Sequence, residues 1–242
     1  MAEAQPSERR GERSTKRRGD TAALARAAER ARPVSLAAER CLPVVEALVP
    51  LFPDGGLPRG AIVSCRGPAA LSLALQTLAG PSQAGSWVGV VGLPALGLAA
   101  VAEAGIAFSR TLLVAEPQVE EWPAVIATLA DSVDAVLVGL GRVGAADGRR
   151  LQARLRERGS VIVVVGQQGG LEADLSLTVV DAVWEGVGRG HGHLRTRRVD
   201  VELTGRRAAA RTRRASLWLP DVDGRCRAID PVAPVVALRS AV

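Results

Sequence analysis

Residues 54–79 read DGGLPRGAIVSCRGPAALSLALQTLA. The glycines and the proline of the first seven residues predict a turn, and the apolar residues 61–65 predict a short strand. A second turn at residues 66–68 leads into an apolar segment, residues 69–79, that favours a helix. The stretch therefore predicts strand, turn and helix in succession, as around a phosphate-binding loop.

The second turn lacks the residues with which such a loop binds phosphate. In the pattern G-x-x-x-x-G-K-[ST], backbone N–H groups close on the phosphates, the lysine neutralises them and the hydroxyl holds magnesium. Here Gly67 is followed by PAALSLA, without a second glycine or a lysine, and Lys16 is the only lysine of the chain. We therefore predict a degenerate nucleotide site that includes Gly67, Pro68 and Ser72.

Strand-like and helix-like segments alternate from residue 61 to residue 165, which predicts an α/β fold with a mostly parallel sheet flanked by helices. After residue 170 only strands are predicted, and these should form an antiparallel C-terminal part of the sheet. The predicted strands are residues 61–65, 87–91, 110–114, 135–140, 161–165, 175–184, 196–204 and 215–219, and the further helices are residues 95–104, 121–131 and 148–158.

The chain of 242 residues is long enough for one such domain with appendages. Residues 1–32 are predicted to be a basic, largely disordered arm with a short helix. Residues 33–222 are predicted to be the core, with a short helix at residues 41–48, and residues 223–242 a tail.

The amino-acid composition limits the classes of function and partner that the chain can have. The net charge of +6 favours polyanionic partners, although an arginine-, alanine- and glycine-rich chain is equally typical of a GC-rich genome. Aromatic residues make up 2% of the chain, which argues against base stacking on single strands. The three cysteines lack metal-binding spacing and fit reduced thiols of a cytoplasmic protein. No membrane-spanning run is expected.

Over roughly residues 43–219 the order of segments resembles the RecA-type ATPase core, most specifically in GGLPRG, IVSCRGP and LALQ. The resemblance places a catalytic Glu after residues 87–91 and a magnesium-linked Asp after residues 133–138. The chain has Gly92 and Gly139 there, while Gln167 matches a nucleotide-coupled glutamine. The resemblance therefore implies a pseudo-ATPase without catalytic residues, cofactor or metal.

An inactive RecA-like core with a basic arm and WEGVGRGHG at residues 184–192 resembles the ImuA and ImuA-prime group, accessory subunits of bacterial damage-induced mutagenesis. That resemblance implies a non-catalytic subunit of the SOS-induced mutasome, which performs error-prone translesion synthesis. Its implied partners are an ImuB-like Y-family polymerase homologue and an error-prone C-family polymerase, with DNA or RecA as further candidates. The implied location is the cytoplasm, at the nucleoid when DNA is damaged.

Two other functions fit the same residues. An ATPase with a non-standard phosphate loop would use Arg59 or Arg66 in place of the lysine. A RecA-like inhibitor of cell division or recombination would use the inert scaffold to block a filament.

An arginine cluster in the turn before the last predicted strand is the candidate contact surface for DNA or a protein partner. Guanidinium groups bind phosphates and carboxylates alike, and a solvated turn without a role is the third interpretation. The cluster consists of Arg206, Arg207, Arg211, Arg213 and Arg214.

Two further patterns are weaker. Residues 139–144 form a G-x-G-x-x-G after a strand, but no acidic residue follows the next strand to hold a ribose, so a flexible turn is the better interpretation than an NAD site. His191 and His193 have no nearby partners for a metal and are expected to be exposed and unliganded.

Overall fold

A computed structural model describes residues 40–139, 143–166, 169–187, 192–206 and 209–229 of the chain. The predictions for residues 1–32, for Gln167, Arg207 and His191, and for residues 230–242 of the tail lie outside these ranges.

Eleven strands lie within the described residues, nine in one sheet and two in a separate pair. The pair is β1 (Cys41–Pro43) and β2 (Gly56–Pro58). The sheet contains β3 (Ile62–Arg66), β4 (Val88–Val91), β5 (Thr111–Val114), β6 (Ala135–Val138), β7 (Val161–Val165), β8 (Leu175–Val187), β9 (Gly192–Gly205), β10 (Arg213–Trp218) and β11 (Arg227–Ala228). The α-helices are α1 (Ala70–Gln83), α2 (Leu98–Glu103), α3 (Trp122–Ser132) and α4 (Ala145–Arg158), and 3-10 helices span Glu46–Leu51 and Phe108–Arg110.

The strand order is β11-β10-β9-β8-β3-β7-β6-β4-β5. Neighbours from β8 to β5 are parallel, whereas β9, β10 and β11 add to β8 as antiparallel strands. This confirms the predicted fold class, a mostly parallel sheet with antiparallel C-terminal strands.

Both faces of the central parallel strands β3, β4, β6 and β7 are buried, which explains their largely apolar sequences. Successive residues of a strand point to opposite faces. On one face Val63 of β3 packs in a cluster with Leu78 of α1, and on the other Ile62 packs with Ile126 of α3 and Leu155 of α4. The helices thus cover the faces of the parallel strands, whose carboxyl ends meet at one edge of the sheet.

The predicted helix at residues 41–48 is wrong. Cys41–Pro43 instead pairs with Gly56–Pro58 as an antiparallel strand, and a 3-10 helix follows at Glu46–Leu51. The prolines at positions 43 and 50 disfavour a continuous α-helix, and burial of Leu42 against the core favours the strand.

No helix among the described residues is long and apolar enough to span a bilayer.

Candidate functional site

The carboxyl ends of the parallel strands, where open α/β sheets bind their ligands, are marked by glycines. Gly67, Gly92, Gly139 and Gly166 directly follow β3, β4, β6 and β7. The N–H of Gly139 donates to the Val91 carbonyl at 2.9 Å, and other backbone bonds tie Gly92 and Gly166 to adjacent strands. The pairing of adjacent parallel strands therefore continues into three of these glycines.

The turn after β3 is too short to enclose a phosphate. Helix α1 begins at Ala70, so only Gly67, Pro68 and Ala69 separate it from the strand, and the Ala70 N–H donates to the Gly67 carbonyl at 3.3 Å. A working loop has four residues between its two glycines alone. Gly67 has a φ of 85°, and a Cβ there would lie 3.1 Å from the carbonyl carbon of Val179 and closer to its oxygen. The turn thus packs directly against β8.

Ser72, in the first turn of α1, accepts a hydrogen bond from a guanidinium. The Arg197 Nη2 of β9 donates to the Ser72 hydroxyl at 2.9 Å, and Arg197 Nε donates to the Leu219 carbonyl at 2.7 Å. The same guanidinium lies 4.7 Å from the ring centroid of Trp184, and burial lowers the pKa of Arg197. The only hydroxyl of the predicted nucleotide site, that of Ser72, is therefore already hydrogen-bonded to a side chain of the same chain.

The two positions matched to catalytic carboxylates have no room for a side chain. Gly92 has a φ of 73°, and a Cβ there would lie 2.9 Å from two ring carbons of Trp122 and closer still to a third. A Cβ at Gly139 would lie 2.5 Å from the Leu93 side chain and closer to the Gly92 carbonyl oxygen. Trp122, which the sequence patterns did not single out, is only 4% exposed and fills this end of the sheet.

Arg59 cannot replace the missing lysine of the phosphate loop. Of the two arginines considered for that role, this excludes the first. Its Nη1 donates to the Gly159 carbonyl at 3.2 Å and lies 3.7 Å from Asp134 Oδ1. Both partners precede strands, so Arg59 lies at the amino edge of the sheet, opposite the turn. Arg66 does lie beside the turn, and its Nε is buried without a hydrogen-bond partner among the described atoms.

The arginine cluster does not form one uniform patch. Arg206 pairs with Glu172 at 3.2 Å, Arg214 pairs with Glu202 at 2.7 Å, and Arg213 donates to the Pro50 carbonyl at 3.4 Å. Arg213 and Arg214 are adjacent on β10 and therefore point to opposite faces of the sheet. Arg211 is exposed and forms no ion pair within the described residues. Two of the four described arginines are thus already neutralised.

The described His and Cys residues give little support for a metal site or for a reactive thiol. Within the described ranges no group of three or more His, Cys, Asp or Glu residues is placed to hold a metal ion. His193 is exposed and accepts a hydrogen bond from Arg195 Nε at 3.3 Å. Burial raises the pKa of the Cys65 and Cys226 thiols to about 12, which favours the protonated form over the nucleophilic thiolate at neutral pH.

The crystal structure of the RadB recombinase matches with a TM-score of 0.54 at 16% identity, over 76% of this chain and 97% of that chain. The fold is therefore RecA-like. The uncharacterized protein Rv3395c of Mycobacterium tuberculosis (strain ATCC 25618 / H37Rv) is 36% identical over 135 residues, which are 54% of this chain. The match spans 64% of the length of that relative. Residues 50–170, half of the chain, match the model of the MT3502 N-terminal domain, and the chain belongs to that family.

Proposed function

We propose that the chain is a non-catalytic, RecA-like accessory subunit of an error-prone translesion synthesis complex, where it acts by binding other proteins. The observation that carries this proposal is the closed carboxyl edge of the sheet, where Trp122 and Leu93 fill the space next to Gly92 and Gly139. ATP hydrolysis needs a phosphate cradle, a carboxylate that positions the metal and a group that orients water. The packing leaves no room for either carboxylate, and a turn of three residues is too short to form the phosphate cradle.

The proposal also names two polymerases as binding partners. An ImuB-like Y-family homologue and an error-prone C-family polymerase are the proposed binding partners, on the strength of residues 54–79 and 184–192 and of the basic net charge. Direct DNA contact through the arginine cluster has less support, because Arg206 and Arg214 already form ion pairs. The proposed location is the cytoplasm, at the nucleoid after DNA damage.

Affinity isolation tests the proposed partners. The tagged protein is isolated from damaged and undamaged cells that naturally express it, and the retained proteins are identified by mass spectrometry. Recovery of both polymerases above the level of an untagged control is expected after damage. Recovery of a division protein or of RecA without them would replace this proposal with the filament-inhibitor alternative.

A thermal-shift measurement tests the proposed lack of nucleotide binding. A ligand that binds only the folded state at 100 times its Kd stabilises it by about 2.7 kcal/mol, which is about 8 °C for a domain of this size. We expect no shift in Tm with magnesium and ATP at millimolar concentration. A shift of that size, lost in the R66A variant, would instead support the ATPase that uses Arg66.

A further inference from the structure

Strands β8 and β9 continue beyond their neighbours. β3 pairs with β8 only up to Thr178, and β10 pairs with β9 only from Arg198 onward. The Arg197 backbone also bonds to Leu219 and Pro220. From Glu185 and Thr196 outward, the backbones of the two strands pair only with each other among the described residues. We call residues 183–187 and 192–198 the ribbon.

The ribbon exposes aliphatic side chains. Val187 is 60% exposed and Leu194 54%, and Val183 and Trp184 are also exposed. Thirteen large apolar side chains are exposed among the described residues, and four of them lie in these twelve ribbon positions. Exposed apolar side chains that cluster in this way mark interaction surfaces in soluble proteins, and a two-stranded ribbon alone is only marginally stable.

The base of the ribbon is anchored to the core. Arg197 stacks on Trp184 and donates hydrogen bonds to the Leu219 carbonyl and the Ser72 hydroxyl. Side chains that are held in place before binding lose less conformational entropy when a partner docks. Tryptophan and arginine are also the residue types most enriched at the centres of protein interfaces.

Charge indicates which partner fits. Arg195 is exposed and has no carboxylate partner within the described residues, whereas Arg198 forms an ion pair with Asp200 at 3.8 Å. Glu185, the carboxylate of the ribbon, accepts a hydrogen bond from Thr196 at 3.3 Å. The ribbon therefore offers an unpaired positive charge, Arg195, on one face and the aliphatic side chain of the adjacent Leu194 on the other face. DNA would favour exposed aromatic rings for base stacking, whereas one face of the Trp184 ring is already covered by Arg197.

We infer that the ribbon is the docking surface for a segment of another protein that carries Asp or Glu among apolar residues. The inference rests on the proposed function only in treating the chain as a protein-binding subunit.

Site-specific photocrosslinking tests the inference in cells that naturally express the full chain. Photoreactive benzoylphenylalanine replaces Val187 or Leu194 of the ribbon and, in the controls, Val119 or Leu98, which are 62% and 53% exposed and lie outside the ribbon. Adducts are identified by mass spectrometry. We expect at least tenfold more adduct from the ribbon positions, on peptides in which acidic and apolar residues alternate.

The captured peptide is then synthesised and its Kd measured against purified full-length variants. V187S/L194S should weaken binding at least tenfold and R195E still more, while L98S/V119S stays within twofold of the wild type. Equal adducts at ribbon and control positions, adducts on nucleic acid, or adducts on basic peptides overturn the inference. If the peptide comes from a protein other than the two polymerases, the ribbon is supported as a docking surface and the proposed translesion function is refuted. If the tagged protein retains both polymerases but the ribbon forms no adducts, only the inference about the ribbon is refuted.

Discussion

Substitution of Gly92 by alanine tests whether Trp122 fills the place of the catalytic glutamate. Alanine at a φ of 73° costs about 1–2 kcal/mol for the left-handed backbone. The added Cβ overlaps the Trp122 ring, which costs about 1–3 kcal/mol more as overpacking. We therefore expect G92A to lower the free energy of unfolding by about 2–5 kcal/mol, or Tm by about 10 °C.

Two matched glycines separate these contributions. Gly166 has a φ of 79° with no described atom within 4 Å of a Cβ, so G166A measures the backbone cost alone. Gly97 has neither a positive φ nor a described atom within 4 Å, so G97A should change stability by less than about 0.5 kcal/mol. Chemical denaturation of the three variants and the wild type gives the comparison.

The Trp122 ring should also show coupling to position 92. In a double-mutant cycle, G92A in a W122A background is expected to cost about 1–3 kcal/mol less than G92A alone, because the overlapping ring is gone. The reasoning is refuted if G92A is no more destabilising than G166A, or if the two substitutions at positions 92 and 122 are additive.

Three further outcomes are expected. G67A should destabilise the fold by about 2–5 kcal/mol in urea unfolding, because a positive φ and the β8 backbone both oppose a Cβ there; a cost below 1 kcal/mol would contradict the packed turn. R197A should lower the free energy of unfolding by about 2 kcal/mol through loss of two charged hydrogen bonds, and R197K should recover less than half of that loss because it cannot form both bonds while stacking on Trp184. Burial raises the pKa of the Cys65 thiol from 9.0 to about 12. The contribution of this shift to folding stability is therefore complete below pH 9 and is lost as the pH rises towards 12. The free energy of unfolding should accordingly fall by about 1.4 kcal/mol less in C65A than in the wild type between pH 8 and pH 10.

The central parallel strands could be predicted because they are buried on both faces. A strand such as residues 161–165, VIVVV, has no polar side chain and is bounded by turn residues, so its type and position follow from local sequence. The β1–β2 pair could not be predicted in this way. Cys41–Pro43 is a three-residue strand whose conformation depends on a partner fifteen residues later.

The residues that mark the candidate site can be read from the sequence, but the packing around them cannot. The glycines at 67, 92 and 139 and the lack of a lysine can be read directly from the sequence. The contact between Arg197 and Ser72 joins residues 125 positions apart, and the overlap of Trp122 with position 92 depends on how α3 crosses the sheet. No local pattern contains either relation, because both arise from tertiary packing.

These contacts also bear on how such a site could be reactivated. A lysine introduced in the first turns of α1 would not reach a phosphate if it replaced a residue such as Leu73, which is fully buried against the sheet. A carboxylate at position 92 or 139 would first have to displace Trp122 or Leu93, and the turn at residues 67–69 would have to lengthen. Each single replacement is therefore destabilising without restoring a cradle. If the chain is the non-catalytic subunit proposed above, the packed edge opposes restoration of an ATP site by any single substitution.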